Sequence, residues 1–279
     1  MGDSPVGRLY IVSTPIGNLG DMTHRAVETL RGVAGVLAED TRHTRHLLER
    51  YGVATPMEPY HEHNEARATP RIVERLRNGE SFALVSDAGT PLLSDPGERL
   101  VRAAVGAGIK VVPIPGASAV LAALVASGLD TARFTFFGFL PRKGRERHDA
   151  VAEVVRNRYT SILYEAPSRV ADTLAEIAAS LERGSDREGA VARELTKQFE
   201  ELRRGTVEEL ARYYADSPVR GEVVIVIAGA GAAELDENAL RNRARALREA
   251  GASVRDVARA LADESGAPRN LAYRLAQDA

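Results

Sequence analysis

From Ser86 to Gly97 the chain reads Ser-Asp-Ala-Gly-Thr-Pro-Leu-Leu-Ser-Asp-Pro-Gly. Asp87 and Asp95 bring carboxylates, Ser86, Thr90 and Ser94 bring hydroxyls, and Gly89 and Gly97 leave backbone N–H groups uncovered. That is the equipment for holding a polar small molecule. Gly, Pro, Asp and Ser also build ordinary turns, but a turn seldom needs so long a run of them. The preceding Phe82-Ala83-Leu84-Val85 reads as a buried strand. The loop therefore falls at the carboxyl end of a strand, where open α/β sheets bind ligands.

Other segments repeat this design. Thr14-Pro15-Ile16-Gly17-Asn18 follows the run Leu9–Val12 and takes the place of a phosphate loop. It is not G-x-G-x-x-G, and no G-x-x-x-x-G-K occurs. A dinucleotide or a nucleoside triphosphate would lack its glycine-lined nest. Gly229-Ala230-Gly231-Ala232-Ala233-Glu234 imitates a dinucleotide fingerprint but lacks the third Gly, and reads as a linker. Gly116-Ala117-Ser118-Ala119-Val120 is half a nucleophile elbow without the closing Gly. No Ser-His-Asp order supports a hydrolase, so Ser118 reads as a turn hydroxyl facing a ligand.

His61-Glu62-His63-Asn64-Glu65 packs polar groups together. In an extended segment His61, His63 and Glu65 point the same way. They read as metal ligands, as a solvated loop, or as groups for acid–base work. No second His cluster supports zinc. Glu39-Asp40-Thr41 ends a second apolar run and would bind a ligand hydroxyl or a cation, or cap a helix. Tyr164-Glu165-Ala166-Pro167-Ser168-Arg169 and Arg193-Glu194-Leu195-Thr196-Lys197 again place charges after apolar strands. Arg142, Lys143, Arg145 and Arg147 follow Pro141 in an expected exposed loop, free to neutralise phosphates or simply solvated.

The elements that must position these residues alternate. Strands are expected at 9–12, 36–38, 82–86 and 109–113, with helices between them and an irregular polar stretch at 55–69. This is the pattern of a parallel sheet covered by helices. A small apolar helix at 117–127 opens a second α/β region. It continues with an aromatic strand at 134–139, further strands at 161–164, 190–192 and 222–227, and an edge or hairpin element at 196–204. Its sheet is expected to be mixed. From residue 236 onward only helices are legible, at 236–250, 253–264 and 268–277. They form a triplet resembling a helix-turn-helix and carry Arg241, Arg243, Arg245, Arg248, Arg255, Arg259, Arg269 and Arg274 among nearly as many acids. A solvated surface and an RNA contact are the two readings. The expected domains are 1–116, 117–232 and 236–279.

Composition narrows the classes. The 279 residues are 44% hydrophobic and 27% charged, with a net charge of −2. No global basic field advertises nucleic acid, so an RNA partner would need a local patch. With no Cys, disulfides, thiolate metal sites and Cys nucleophiles are excluded, which fits a reducing compartment. The expectations are no transmembrane helix, no signal peptide in Met1–Pro5 and a cytoplasmic location.

Together the motifs assemble a pattern. Leu9–Leu19, Ala38-Glu39-Asp40-Thr41-Arg42, His61–Glu65, Ser86–Gly97, Pro115–Ala119, Gly138-Phe139-Leu140-Pro141, Tyr164–Arg169 and Arg193–Lys197 occur in this order. The chain resembles the ribosomal RNA small-subunit methyltransferase I family of the tetrapyrrole methylase superfamily over about residues 8–230. The helical tail resembles that family's C-terminal domain. The resemblance implies two α/β domains with S-adenosylmethionine in the cleft between them, a homodimer, and methylation of the ribose 2′-hydroxyl of a cytidine in the decoding region of small-subunit (16S) RNA. By motif it implies that Pro15 and Ile16 line the cleft floor and that Asp87 and Thr90 hold the methionine or ribose part. Ser118 and Ala119 lie beside it, and Tyr164 and Arg193 close it.

The chemistry of the residues is compatible with this. S-adenosylmethionine has no phosphate, so a loop without a phosphate nest suits it. Its sulfonium is an activated methyl donor, so no metal is needed. What remains is alignment of the 2′-oxygen and removal of its proton. Glu62 and His61 are the candidate bases, with Glu39 and Lys197 behind them. Two rivals stand: a methylase of a small tetrapyrrole or a diphthine-type protein target, and a non-catalytic RNA-binding factor.

Overall fold

The computed structural model describes residues 6–182, 185–217, 219–231, 237–265 and 267–279. Expectations touching residues 1–5, the Ala232–Glu234 part of the glycine-rich linker, the domain edges at 232 and 236, and the helix end near Gly266 lie outside the described residues. The chain divides into two compact units. One runs to Val155 and adds Thr160–Ala228, and the other combines Arg156–Tyr159 with Gly229–Ala279.

The first unit holds two five-stranded sheets. The first sheet is built from β1 (Arg8–Val12), β2 (Gly35–Ala38), β3 (Met57–Pro59), β4 (Phe82–Val85) and β5 (Lys110–Ile114), separated by α1 (His24–Gly32), α2 (Thr41–Arg50), α3 (Glu65–Arg77) and α4 (Glu98–Gly106). Its order is β3-β2-β4-β1-β5, and every pairing is parallel. Apart from Arg8 at the start of β1, the central strands are apolar because both faces are covered. Leu9, Leu37 and Leu84 pack with Ile72, Leu76 and Leu100, whereas Val12, Val36 and Val85 pack with Ala26, Leu30 and Leu48. Thr23 and Asp40 cap α1 and α2 by accepting the N–H groups of Ala26 and Arg42.

After α5 (Ala119–Ser127) the second sheet follows: β6 (Phe134–Phe139), α6 (Gly144–Arg156), β7 (Thr160–Glu165), α7 (Val170–Ser180), β8 (Glu188–Arg193), β9 (Glu201–Thr206), α8 (Val207–Asp216) and β10 (Val223–Ile227). Its order is β6-β7-β10-β8-β9. β6 and β7 run parallel and the other neighbours antiparallel, so the sheet is mixed as expected. α5 packs Val120, Ala123 and Leu124 on one face, against Ile162, Ala190 and Val224. The other face carries Leu163, Val191 and Ile225, packed with Val154, Leu174 and Leu210 from α6, α7 and α8.

Two expectations change. The stretch 55–69 is not irregular: β3 adds an edge strand, and α3 begins at Glu65 with Pro70 inside it. The face Ala68, Thr69, Ile72, Val73 and Leu76 is buried, and this burial offsets the lost N–H of Pro70. Of the four basic residues after Pro141, Arg142 and Lys143 lie in an exposed turn as expected, but Arg145 and Arg147 belong to a helix. α6 starts at Gly144, and Arg147 is buried, bonded to Glu176 at 2.8 Å, to the Pro141 carbonyl at 3.1 Å and to Thr173 at 2.9 Å. A guanidinium so enclosed serves the fold.

In the second unit α9 (Glu237–Glu249), α10 (Val254–Ser265) and α11 (Arg269–Gln277) close around Leu240, Val257, Leu261 and Leu275. Arg241, Arg243, Arg259 and Arg274 pair with carboxylates, and Arg248 donates to the Ala252 carbonyl. Among the described residues no helix is long and apolar enough to cross a membrane.

Candidate active site

The loops after β1, β4 and β5 are joined edge to edge. The Thr14 N–H donates to the Gly89 carbonyl at 2.9 Å, and the Gly89 N–H returns to Thr14 at 3.1 Å. Thr90 Oγ1 donates to the Ala117 carbonyl at 3.2 Å and lies 3.1 Å from Ser13 Oγ. Gly89 sits at φ 80° with its missing Cβ facing Ile16, and Gly116 presses on Ser13. The loops of three neighbouring strands thus form one floor at the carboxyl edge of the first sheet.

Above this floor lies a cavity of about 400 Å³, walled by Ile16, Thr90, Ser94 and Asp95 on one side and by Phe139, Tyr164 and Glu222 on the other. The far wall comes from the second sheet. Phe136 and Phe139 fix Tyr164 from two sides, with ring centroids 4.9 and 5.5 Å away. Lys197 lays its stem over Gly17 and bonds Glu194 at 2.9 Å and Glu222 at 3.1 Å. Burial alone would lower its pKa, but the two carboxylates outweigh that and raise it. Lys197 is therefore a cationic clasp.

All the non-glycine residues found at left-handed φ among the described residues lie in two loops: Leu92 and Ser94 before α4, Glu194 and Thr196 after β8. Both loops reach the cavity through Leu93, Ser94, Asp95 and Leu195. Backbone held in this costly region in two loops meeting at one cavity is the signature of a functional site.

The electrostatics are acidic. Burial, with the charge of Asp87, raises Asp95 to about 6 although Ser86 donates to it. Burial and the charges of Asp95, Asp87 and Asp40 raise Glu39. Burial, then Asp95 and Glu222, push Tyr164 up to about 12. Such a site gains by receiving a cation.

Of the sequence candidates, Ile16, Thr90, Ala119 and Tyr164 line the cavity. Pro15 is buried and is not among the lining residues. Asp87 accepts the Asp40 N–H at 3.0 Å and so ties the β4 loop to the end of β2. Ser118 caps α5, and Arg193 pairs with Glu201 at 3.0 Å. His61 and Glu62 are not among the lining residues. Glu62 is exposed, and His61 keeps a buried Nδ1 without a partner. Its ring lies 6.0 Å from that of His63, and no group of three or more His, Cys, Asp or Glu is poised for a metal among the described residues.

The family model for tetrapyrrole (corrin/porphyrin) methylases matches residues 8–211. A ribosomal RNA small subunit methyltransferase I from Synechocystis is 46% identical over 97% of this chain and 97% of its own. One from Xylella fastidiosa is 47% identical, covering 97% and 99%. The chain belongs to the ribosomal RNA small subunit methyltransferase I family. Its fold extends further: the uroporphyrin-III C-methyltransferase from Thermus thermophilus, solved with S-adenosylhomocysteine, superposes with TM-score 0.55 at 18% identity, covering 80% of this chain and 97% of that one. Three residues of the cavity wall carry little signal in the sequence. Asp95 is one of the two loop carboxylates that composition points to, but nothing local in the sequence separates its role from that of Asp87, and Phe139 is one aromatic residue among several in its strand. Glu222 looked like the start of a strand.

Proposed function

We propose that this protein transfers a methyl group from S-adenosylmethionine to the ribose 2′-hydroxyl of a cytidine in the decoding region of small-subunit (16S) ribosomal RNA. The observation that carries the reading is the acidic, phosphate-nest-free cavity between the two sheets of a chain in this family. The cavity fits the cofactor: about 400 Å³ is within the range of small-molecule sites. Its raised carboxyl groups favour a sulfonium cation.

When bound, the cofactor supplies a methyl already activated on sulfur. The chain supplies position. Ile16, Thr90 and Ala119 hold the donor on the floor, and Tyr164 closes it from the second sheet. Pro15, Asp87, Ser118 and Arg193 hold the loops that present those groups. The 2′-oxygen must lie in line with the methyl carbon and lose its proton. Glu62 and His61 remain proposed acceptors from the sequence. The geometry favours Asp95, which lines the cavity and is held near 6, close to working pH.

Residues 1–116 and 117–232 act as the two halves of the cleft, and 236–279 as a helical RNA-contact domain. The homodimer is supported by Leu121 and Val125, four residues apart on α5 and 52% and 72% exposed. An RNA substrate of this kind supports a cytoplasmic site of action. The test is to incubate the purified protein with unmodified small-subunit particles and methyl-labelled cofactor, then digest the RNA and locate the label by mass spectrometry. Label on the ribose of one decoding-region cytidine is expected. Label on a base, or on an added porphyrinoid in preference to RNA, would overturn the reading.

A further inference from the structure

Phe139 is 54% exposed, an unusual position for a phenylalanine at the end of a sheet strand. The register of β6 explains it. Phe136 pairs with Ile162, but Gly138 pairs with Leu163 and Phe139 with Tyr164, so Phe137 is an extra residue. Without this bulge, alternation would send Phe139 to the face of Phe137, which packs into the core beneath α6 and α7. The bulge, with Gly138 at φ 63°, turns Phe139 onto the Tyr164 face and into the cavity wall. Bulges beside active sites re-aim side chains in this way.

The chain then continues through Leu140 and Pro141 to Arg142 and Lys143. Arg169 donates to the Leu140 carbonyl at 3.3 Å and Arg147 to the Pro141 carbonyl at 3.1 Å, so this turn is held from behind. Arg142 and Lys143 are exposed and take part in none of the ion pairs among the described residues, whereas Arg145 has Asp149 at 3.5 Å. They edge a groove of about 480 Å³ that includes His148. An exposed aromatic ring at the rim of a cavity, followed within four residues by two unpaired cations on a fixed turn, matches the needs of single-stranded nucleic acid: a face for a base and charges for its phosphates.

We infer that Phe139, Arg142 and Lys143 form a shelf for single-stranded RNA, Phe139 stacking on a base at the cavity mouth and the two cations holding neighbouring phosphates. The inference rests on the RNA reading above and names the surface that receives the RNA. The test measures binding of unmodified small-subunit particles and of the cofactor to full-length wild type, Phe139→Leu, and the double variant Arg142→Ala/Lys143→Ala. Phe139→Leu should weaken RNA binding by about tenfold, in line with one lost stacked base, and more than it weakens cofactor binding. The double variant should leave cofactor affinity unchanged and lower the slope of log affinity against log salt by about 1.4, for two lost phosphate contacts. RNA affinity and slope equal to wild type would overturn the shelf alone. So would a Phe139→Leu variant that loses cofactor affinity but not RNA affinity, since the ring would then serve the cofactor. A wild type that binds cofactor yet neither binds nor methylates the particles would overturn the parent reading as well.

Discussion

At the scale of single residues, two aspartates of one loop do different work. Asp95 faces the cavity with Asp87 and Glu39 nearby and Tyr164 opposite. As proton acceptor it must be ionised, so methyl transfer should rise with pH through about 6 and level off above. Asp95→Asn should lower kcat by about 10²–10⁴ and remove that limb in single-turnover assays with bound RNA. If Glu62→Ala and His61→Ala lost the limb instead, the acceptor would be there. Its stability effect has the opposite sign to a paired carboxylate. A folded pKa raised above the unfolded one stabilises only at low pH and is lost as pH rises through the folded value. Asp95→Asn should therefore raise Tm at pH 7.5 by a few degrees (about 2–4 °C per kcal/mol in a chain of this size) and leave it unchanged at pH 4. Asp87 instead accepts the Asp40 N–H. Asp87→Ala should cost about 1 kcal/mol for the half-buried donor left without its partner and weaken cofactor binding by less than tenfold in calorimetric titration. A loss of a hundredfold would place it in direct contact. The loop that contains both was legible from its composition. Their division of labour was not, because it depends on Glu39 and Tyr164, which come from distant segments of the chain.

At the scale of elements, local signals carried the strands and most helices. The runs at β1, β4 and β10 are apolar throughout because both faces are covered, and the caps at Thr23 and Asp40 announce the helices after them. β3 was missed because Met57-Glu58-Pro59 is too short to show alternation and ends in a proline. The start of α3 was missed because Pro70 reads as the first residue of a helix, whereas the helix begins a turn earlier at Glu65 and packing of Ala68, Ile72 and Leu76 decides the outcome. The β6 bulge gave no sequence signal beyond Gly138. That glycine is at φ 63°, and a Cβ there would meet Ser94 Oγ at 3.1 Å. Gly138→Ala should cost about 1–3 kcal/mol, the usual price of a strained backbone position, read as a lower Tm. If the backbone relaxes by losing the bulge, Phe139 turns away from the cavity. Methyl transfer to RNA should then fall further than stability predicts. Unchanged activity at reduced Tm would show that the bulge serves the fold only.

At the scale of the whole molecule, division of labour follows from where charge and apolar surface lie. The first unit contains both sheets, every lining residue of the cavity and the strained loops. The helical unit has its own small core around Leu240, Val257, Leu261 and Leu275. Four of its eight arginines are engaged by carboxylates, while Arg245, Arg255 and Arg269 are exposed and have no ion pair among the described residues. A chain with net charge −2 gains affinity for RNA only through such local groups. A variant ending at Gly231 should therefore keep cofactor affinity within about twofold, since no cavity residue is lost. Its affinity for small-subunit particles should fall, and its salt slope should shrink by about 2, for three phosphate contacts at about 0.7 each. Ala230 donates to the Asn157 carbonyl at 2.7 Å, so ending the chain after Gly231 preserves that bond. RNA affinity and slope equal to the full chain would make the helical unit a solvated appendage, and the basic turn after Phe139 would then carry RNA recognition by itself.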